Sequence, residues 1–365
     1  MKRKTPFSFH FRAKSKFGEA KCYESHSAMP LCPAKKWRYL FAEYFCKFRT
    51  LINRLFLLDG KDTAGADDEQ CSGHEHHGGL RAAHQLQNAA TTDGIEYLAA
   101  VSSFLAQRYS GLPLAGMYAK VDNFVIGNEV NAWRQWNYMN CGSMAAYTKQ
   151  YADAFRVMYT GIKSTNSNAN VYVCTDHQWG FSQRSVYGAK AFLTEFNNDI
   201  RSQGNIDWRL AFHAYNYPLT NAVAWAPTAN VQRSQNTKYV SVYNIDVVTD
   251  FLCQADFLSP TGAVRTVKLS EQGYTSALSE EQQSVSIVYA IMVANNNSII
   301  DGIIISREKD DPVVEIPQGL ANGLLTTGNR SKSSYRFYQN AESAETIAEA
   351  SAMAGVDLNT LLAPR

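Results

Sequence analysis

Five apolar runs in this chain stop abruptly at groups that ionise or hydrogen-bond. FVIGNE ends on Asn128 and Glu129, VYVCTDHQW on Asp176, His177 and Trp179, and LAFHAY on His213 and Tyr215. VKLSEQGY ends on Glu271 and Tyr274, and GIIISRE on Arg307 and Glu308, with Asp310 just beyond. One polar strand end is ordinary solvation, and an isolated glutamate usually pairs with a neighbouring lysine or arginine. Two glutamates delivered by long apolar runs suggest paired-carboxylate chemistry. One carboxyl is protonated and serves a leaving oxygen; the other is ionised and attacks carbon or activates water. Trp133, Trp136 and Trp179 are candidate platforms for the C–H faces of a sugar, although each reads equally as core packing or a loop anchor. Asp176 and His177 would orient Glu129 or bind a hydroxyl, with surface capping as the alternative. Arg307, Glu308 and Asp310 are charged loop residues, usually just solvated.

The elements that must position these groups alternate regularly beyond residue 90. Helical periodicity runs over 92–109, from a Ser143 cap to about 164, over 186–203, from near Tyr239 to 254 and over 280–296. Between them lie strands at VDNFVIGNE, NVYVCTDHQWG, WRLAFHAYNYP, AVRTVKLSEQG and DGIIISRE. Their apolar runs are nearly continuous, as parallel strands covered by helices require. Alternation of this kind implies an α/β architecture with right-handed crossovers. No GxGxxG or GxxxxGK[ST] follows any strand, so a (β/α)8 TIM-barrel-like fold is favoured over an open nucleotide-binding sheet. In such a barrel all strand ends converge on one face, where the chemistry sits.

FVIGNEVNAW resembles the fourth-strand motif of the clan of retaining barrel glycoside hydrolases, and VKLSEQGYTS its seventh-strand motif. More narrowly, GNEVN, TDHQWG, FHAYNYP and SEQGYTS together resemble a bacterial family of glycosidase-like barrels of unassigned function. The likeness covers about residues 90–340. It implies Glu129 as general acid/base, Glu271 as nucleophile and Asn128 as partner of a sugar 2-hydroxyl. It further implies that His213 and Tyr215 position Glu271 and keep it ionised. Tyr274, within the same motif, joins the substrate-binding set. The implied partner is a poly- or oligosaccharide and no cofactor is called for. The same rim would suit a non-catalytic saccharide-binding protein, an inactive truncated relative or a transglycosylase.

Residues 1–88 break this rhythm. Numbered against the family, the five strands are the fourth to eighth, so the first three βα units are expected to be incomplete or atypical. One strand is expected around Phe7, Phe9 and Phe11, and an amphipathic helix over 35–58. A polar, Gly-rich loop is expected over 58–79, whose His74, His76 and His77 lack the support of a dedicated metal site. The expected organisation is therefore an N-terminal region at 1–88, a barrel portion at 89–338, and a C-terminal helix and tail at 339–365. Ser343 caps that helix and Gly355 ends it. A formal charge of +2 argues for no nucleic-acid partner. No run is long enough for a membrane span. The seven cysteines show no CxxC spacing and leave the redox compartment open. The basic N-terminus lacks the apolar run of a signal peptide, and the resemblance is compatible with either a secreted or a cytoplasmic bacterial protein.

Overall fold

The computed structural model describes residues 89, 91–109, 120–137 and 141–364. The strand, helix and loop expected within 1–88 lie outside the described residues. Five parallel strands form one sheet in chain order: β1 (Asn123–Ile126), β2 (Asn170–Thr175), β3 (Trp208–Phe212), β4 (Val267–Gln272) and β5 (Ile300–Ile305). Each new strand adds beside the last in one direction, with no reversal. A doubly wound sheet needs a switch point where the order reverses, so this winding is that of a barrel. The helices are α1 (Thr92–Arg108), α2 (Trp133–Trp136), α3 (Met144–Thr165), α4 (Ala189–Ser202), α5 (Asp246–Leu252), α6 (Glu280–Asn296), α7 (Ser333–Gln339) and α8 (Ala344–Ala354).

The sheet is strongly curled. Three strand spacings separate β2 from β5, about 14 Å on a flat sheet. Yet the Tyr172 hydroxyl donates to Asp301 Oδ2 at 2.8 Å, which two side chains reach only across a concave face. The described strands therefore make a half-barrel. Val171, Val173, Leu210, Val267 and Leu269 face the helices and join the main core, whereas Tyr172, Cys174 and Ala211 line the concave side. Among the described residues β1 and β5 pair on one side only.

Most helix limits follow local chemistry. Thr91, Ser143, Ser279 and Ser343 each accept a backbone N–H from the first turn of the helix that follows. Gly355 ends α8 at φ 69°, a left-handed cap that favours glycine. In α3, Tyr147, Tyr151 and Phe155 recur every fourth residue and are buried against the sheet. The helix expected from Tyr239 starts later. Ser241 and Asn244 form a reciprocal cap over a single 3₁₀ turn at Val242–Asn244, so only Asp246–Leu252 is α-helical. The short α2 and α7 are additional, too brief to show a period in sequence.

Candidate active site

Glu129 reaches the concave rim because the chain turns sharply after β1. Gly127 lies at φ 83° and Glu129 at φ 41°, a left-handed conformation uncommon for a glutamate. Tertiary contacts hold this turn on both sides. From α3 the Tyr151 hydroxyl donates to the Ile126 carbonyl at 2.7 Å and Tyr147 to the Val130 carbonyl at 2.5 Å. The Val130 N–H donates to the Cys174 carbonyl at 2.9 Å, and the Glu129 N–H lies 3.4 Å from Cys174 Sγ. Such a conformation persists only where its surroundings over-determine it, a pattern that clusters at working sites.

Glu271 arrives by a different device. Leu269 pairs with Ile303 but Gln272 with Ile305, so β4 carries one extra residue between those positions. Without that bulge the alternation would send Glu271 to the helix side, the side of Val267 and Leu269. The bulge re-aims it to the rim, where Oε1 accepts the Tyr215 hydroxyl at 2.8 Å. Gly273 lets β4 and β5 close up here, since a Cβ at that position would stand 2.1 Å from the Ser306 carbonyl oxygen.

His213 sits between the two glutamates. Its Nδ1 is 2.8 Å from Glu129 Oε1 and 3.7 Å from Glu271 Oε2, which caps the separation of those two oxygens at 6.5 Å. The nearer partner is Glu129, not the Glu271 that the family resemblance assigned to it. Trp136 Nε1 donates to the other Glu129 oxygen at 2.7 Å. Burial opposes charge on Glu129, but the hydrogen bond and charge of His213, then Trp136, outweigh it and hold the carboxyl below its usual range. Burial likewise opposes charge on His213, yet its contacts with Cys174 and Glu129 hold the imidazole well above the usual histidine range. The pair is therefore a carboxylate against an imidazolium. Burial and then the Glu271 charge raise the Tyr215 hydroxyl, which remains a protonated donor.

Asp176 and His177 lie one layer out. Asp176 Oδ1 accepts Asn131 Nδ2 at 2.6 Å and the Gln178 N–H at 3.0 Å. Burial first, then the Glu129 charge, pushes its carboxyl up to about 7. His177 Nδ1 is 2.9 Å from the Tyr215 carbonyl, which fixes its tautomer, and burial lowers its affinity for a second proton. Asn128 is exposed on the rim. Trp133 is half-buried and stacked on Tyr187, a loop anchor. Trp179 is fully buried, edge-on to Phe251, and offers no face to a ligand. Tyr274 is 1% exposed and equally out of reach. Arg307 pairs with Asp311 and Glu315, and buried Asp310 with Lys332, so both clamp the last loop. Asn131 and Cys174 went unnoticed in the sequence. The parity of β2, where Tyr172 and Cys174 share a face, is the signal that would have found the cysteine. Among the described residues no group of three or more His, Cys, Asp and Glu could hold a metal, and no helix is long and apolar enough to cross a membrane.

Winding and curl define the described part of this protein as an α/β half-barrel, with a rim that gathers carboxylates. The chain belongs to a family of unknown function, DUF5722, whose model matches residues 46–359. That match begins upstream of residue 90 and ends beyond 340, so membership reaches further than the motifs alone. No curated protein matches the chain. Similar solved structures include a family 39 glycoside hydrolase from Bacteroides cellulosilyticus WH2, at 14% identity and TM-score 0.45, covering 70% of this chain and 46% of that one. A glucosidase from Croceicoccus marinus matches at 10% identity and TM-score 0.45, over 68% and 45% of the two chains. An exo-β-1,4-mannosidase from Opitutaceae bacterium strain TAV5 matches at 19% identity and TM-score 0.43, over 73% and 42%. The chain thus spans under half the length of each of these three.

Proposed function

We propose that the protein is a retaining glycoside hydrolase acting on a poly- or oligosaccharide, with Glu129 as general acid/base and Glu271 as nucleophile. The observation that carries this reading is the common contact of both carboxylates with His213 Nδ1, which keeps their nearest oxygens within 6.5 Å. Retaining enzymes place the two carboxyl groups about 5–5.5 Å apart, with no room for a water between them. Glu271, one of whose oxygens accepts Tyr215, attacks the anomeric carbon as the glycosidic bond breaks. Glu129 gives its proton to the departing oxygen and then takes one from the water that releases the sugar. Because Glu129 and His213 share a close contact, the proton for the first step belongs to the pair and not to either residue alone. Asn128 and Trp136 lie beside Glu129 where a sugar would bind, and residues 89–338 form the part of the chain that carries the site.

The test is turnover of a panel of 4-nitrophenyl glycosides and polysaccharides by the full chain, with Glu271→Ala alongside. Turnover that disappears in the variant is the expected result, together with a covalent mass gain on Glu271 when a 2-deoxy-2-fluoro glycoside is used. A second reading for the same rim is a saccharide-binding protein without catalysis. Binding of a polysaccharide with no turnover of any panel member would favour that reading and reject the hydrolase.

A further inference from the structure

The concave face buries one nucleophilic group that the proposed chemistry does not use. Cys174 is 1% exposed, and its Sγ lies 3.2 Å from His213 Nε2, on the far side of the ring from both glutamates. The same sulfur is the nearest partner of the Glu129 N–H, at 3.4 Å, inside the left-handed turn. Cys174 is sealed behind the imidazole and cannot reach a ligand, so any effect it has passes through His213 and Glu129.

We propose that Cys174 is a positioning residue that fixes which nitrogen of His213 faces the carboxylates and sustains its protonation there. A thiol suits this place because it is both a weak donor and a weak acceptor. Opposite neutral His213 its S–H donates to Nε2; opposite the imidazolium its sulfur accepts from Nε2–H. A carboxylate here would lock the ring in its charged form, and an aliphatic side chain would leave a buried nitrogen without a partner. The ring can therefore change charge without changing orientation, as a residue beside an acid/base must. Charged and titratable groups facing His213 come from every neighbouring element: Glu129 after β1, Cys174, Asp176 and His177 from β2 and its end, Tyr215 after β3, and Glu271 on β4. The catalytic consequence rests on the hydrolase reading above, but the positioning itself does not.

The experiment is a pH titration of the His213 ring by nitrogen-15 NMR in the full chain, with Cys174→Ala and Cys174→Ser, the signal assigned with His213→Gln. Expected is a titration midpoint about one pH unit lower in Cys174→Ala, the scale of one lost hydrogen bond, and one close to the parent in Cys174→Ser. Cys174→Val, which refills the space without a partner for Nε2, is expected to reproduce the alanine result; a parent-like midpoint there would assign the alanine shift to a loosened core and overturn the proposal. An unchanged midpoint in both apolar variants overturns the proposal, whatever happens to thermal stability. On any 4-nitrophenyl glycoside the protein turns over, the alkaline limb of kcat/KM moves down by the same amount in Cys174→Ala and is restored in Cys174→Ser. A lowered midpoint with no glycoside turned over upholds the positioning role and counts against the hydrolase alone. Turnover with an unmoved midpoint does the reverse.

Discussion

The two ends of the half-barrel both gather polar side chains across the sheet, and they do so to opposite effect. At the amino end, Asp301 accepts Thr266 at 2.6 Å, Lys268 at 2.7 Å and Tyr172 at 2.8 Å, with Arg209 at 3.4 Å. One carboxylate there commands four donors. At the carboxyl end, two carboxylates share one histidine, with a single further donor apiece among the described residues, from Trp136 and Tyr215. A saturated carboxylate is a fixture, because no second protonation state fits its donors. An undersupplied pair can change state, and proton transfer requires that freedom.

The largest effect should come from the undersupplied end. Glu129→Ala is expected to lower kcat/KM on alkyl or disaccharide substrates by about 10²–10⁴-fold, the usual worth of a general acid/base. The loss should shrink on a 4-nitrophenyl glycoside, whose leaving group needs little protonation. Thermal stability should fall as well, since removing the carboxylate strands the buried His213 imidazolium and the Trp136 N–H. An equal loss on both substrate types would mean that Glu129 acts by binding.

Asp301→Ala should cost about 2–3 kcal/mol of stability by stranding its donors while leaving kcat unchanged. Burial pulls the Asp301 carboxyl upward, but hydrogen bonds from Lys268, Thr266 and Tyr172 outweigh it and hold it low. A group held low in the fold contributes stability that is fully present above its unfolded value, about 3.9, and lost as pH falls through its folded value. The stability gap between parent and variant should therefore be constant near neutrality and close only below about pH 4. Urea melts at pH 7 and pH 3 check this. A gap as wide at pH 3 as at pH 7 would mean the aspartate serves by packing.

The contrast between the two ends was only half visible in sequence. Continuous apolar runs such as VYVC and GIII disclosed the parallel strands, and polar groups after them disclosed the rim, because burial on both faces leaves a plain record. Which way a side chain points after a strand ends leaves none. Trp179 and Trp136 look alike in sequence, yet one packs into the core against Phe251 and the other donates to Glu129. Glu271 stands at a strand end in the sequence, but only the bulge in β4 explains how it reaches the rim, and a bulge is set by neighbouring strands. Asp301 read as the polar start of a strand, since its partners come from three other strands. The bond between His213 and Glu129 depends on the left-handed turn at Glu129, which no local residue preference announces.

The two tryptophans provide the finest test. Trp136→Phe keeps a ring beside the site but removes one N–H donor from Glu129 Oε2. That bond favours the ionised carboxyl, so its loss raises the proton affinity of Glu129 and moves the alkaline limb of kcat/KM, where the acid is lost, to higher pH. One hydrogen bond of about 1 kcal/mol corresponds to an upward shift of roughly 0.7 pH unit, with stability nearly unchanged. Trp179→Phe removes only buried volume from the Phe251 contact and should lower stability while leaving that limb in place. If both variants move the limb equally, Trp179 reaches the site through the loop it anchors. If neither does, His213 alone governs Glu129, and the carboxyl end is even more sparsely supported than the comparison with Asp301 suggests.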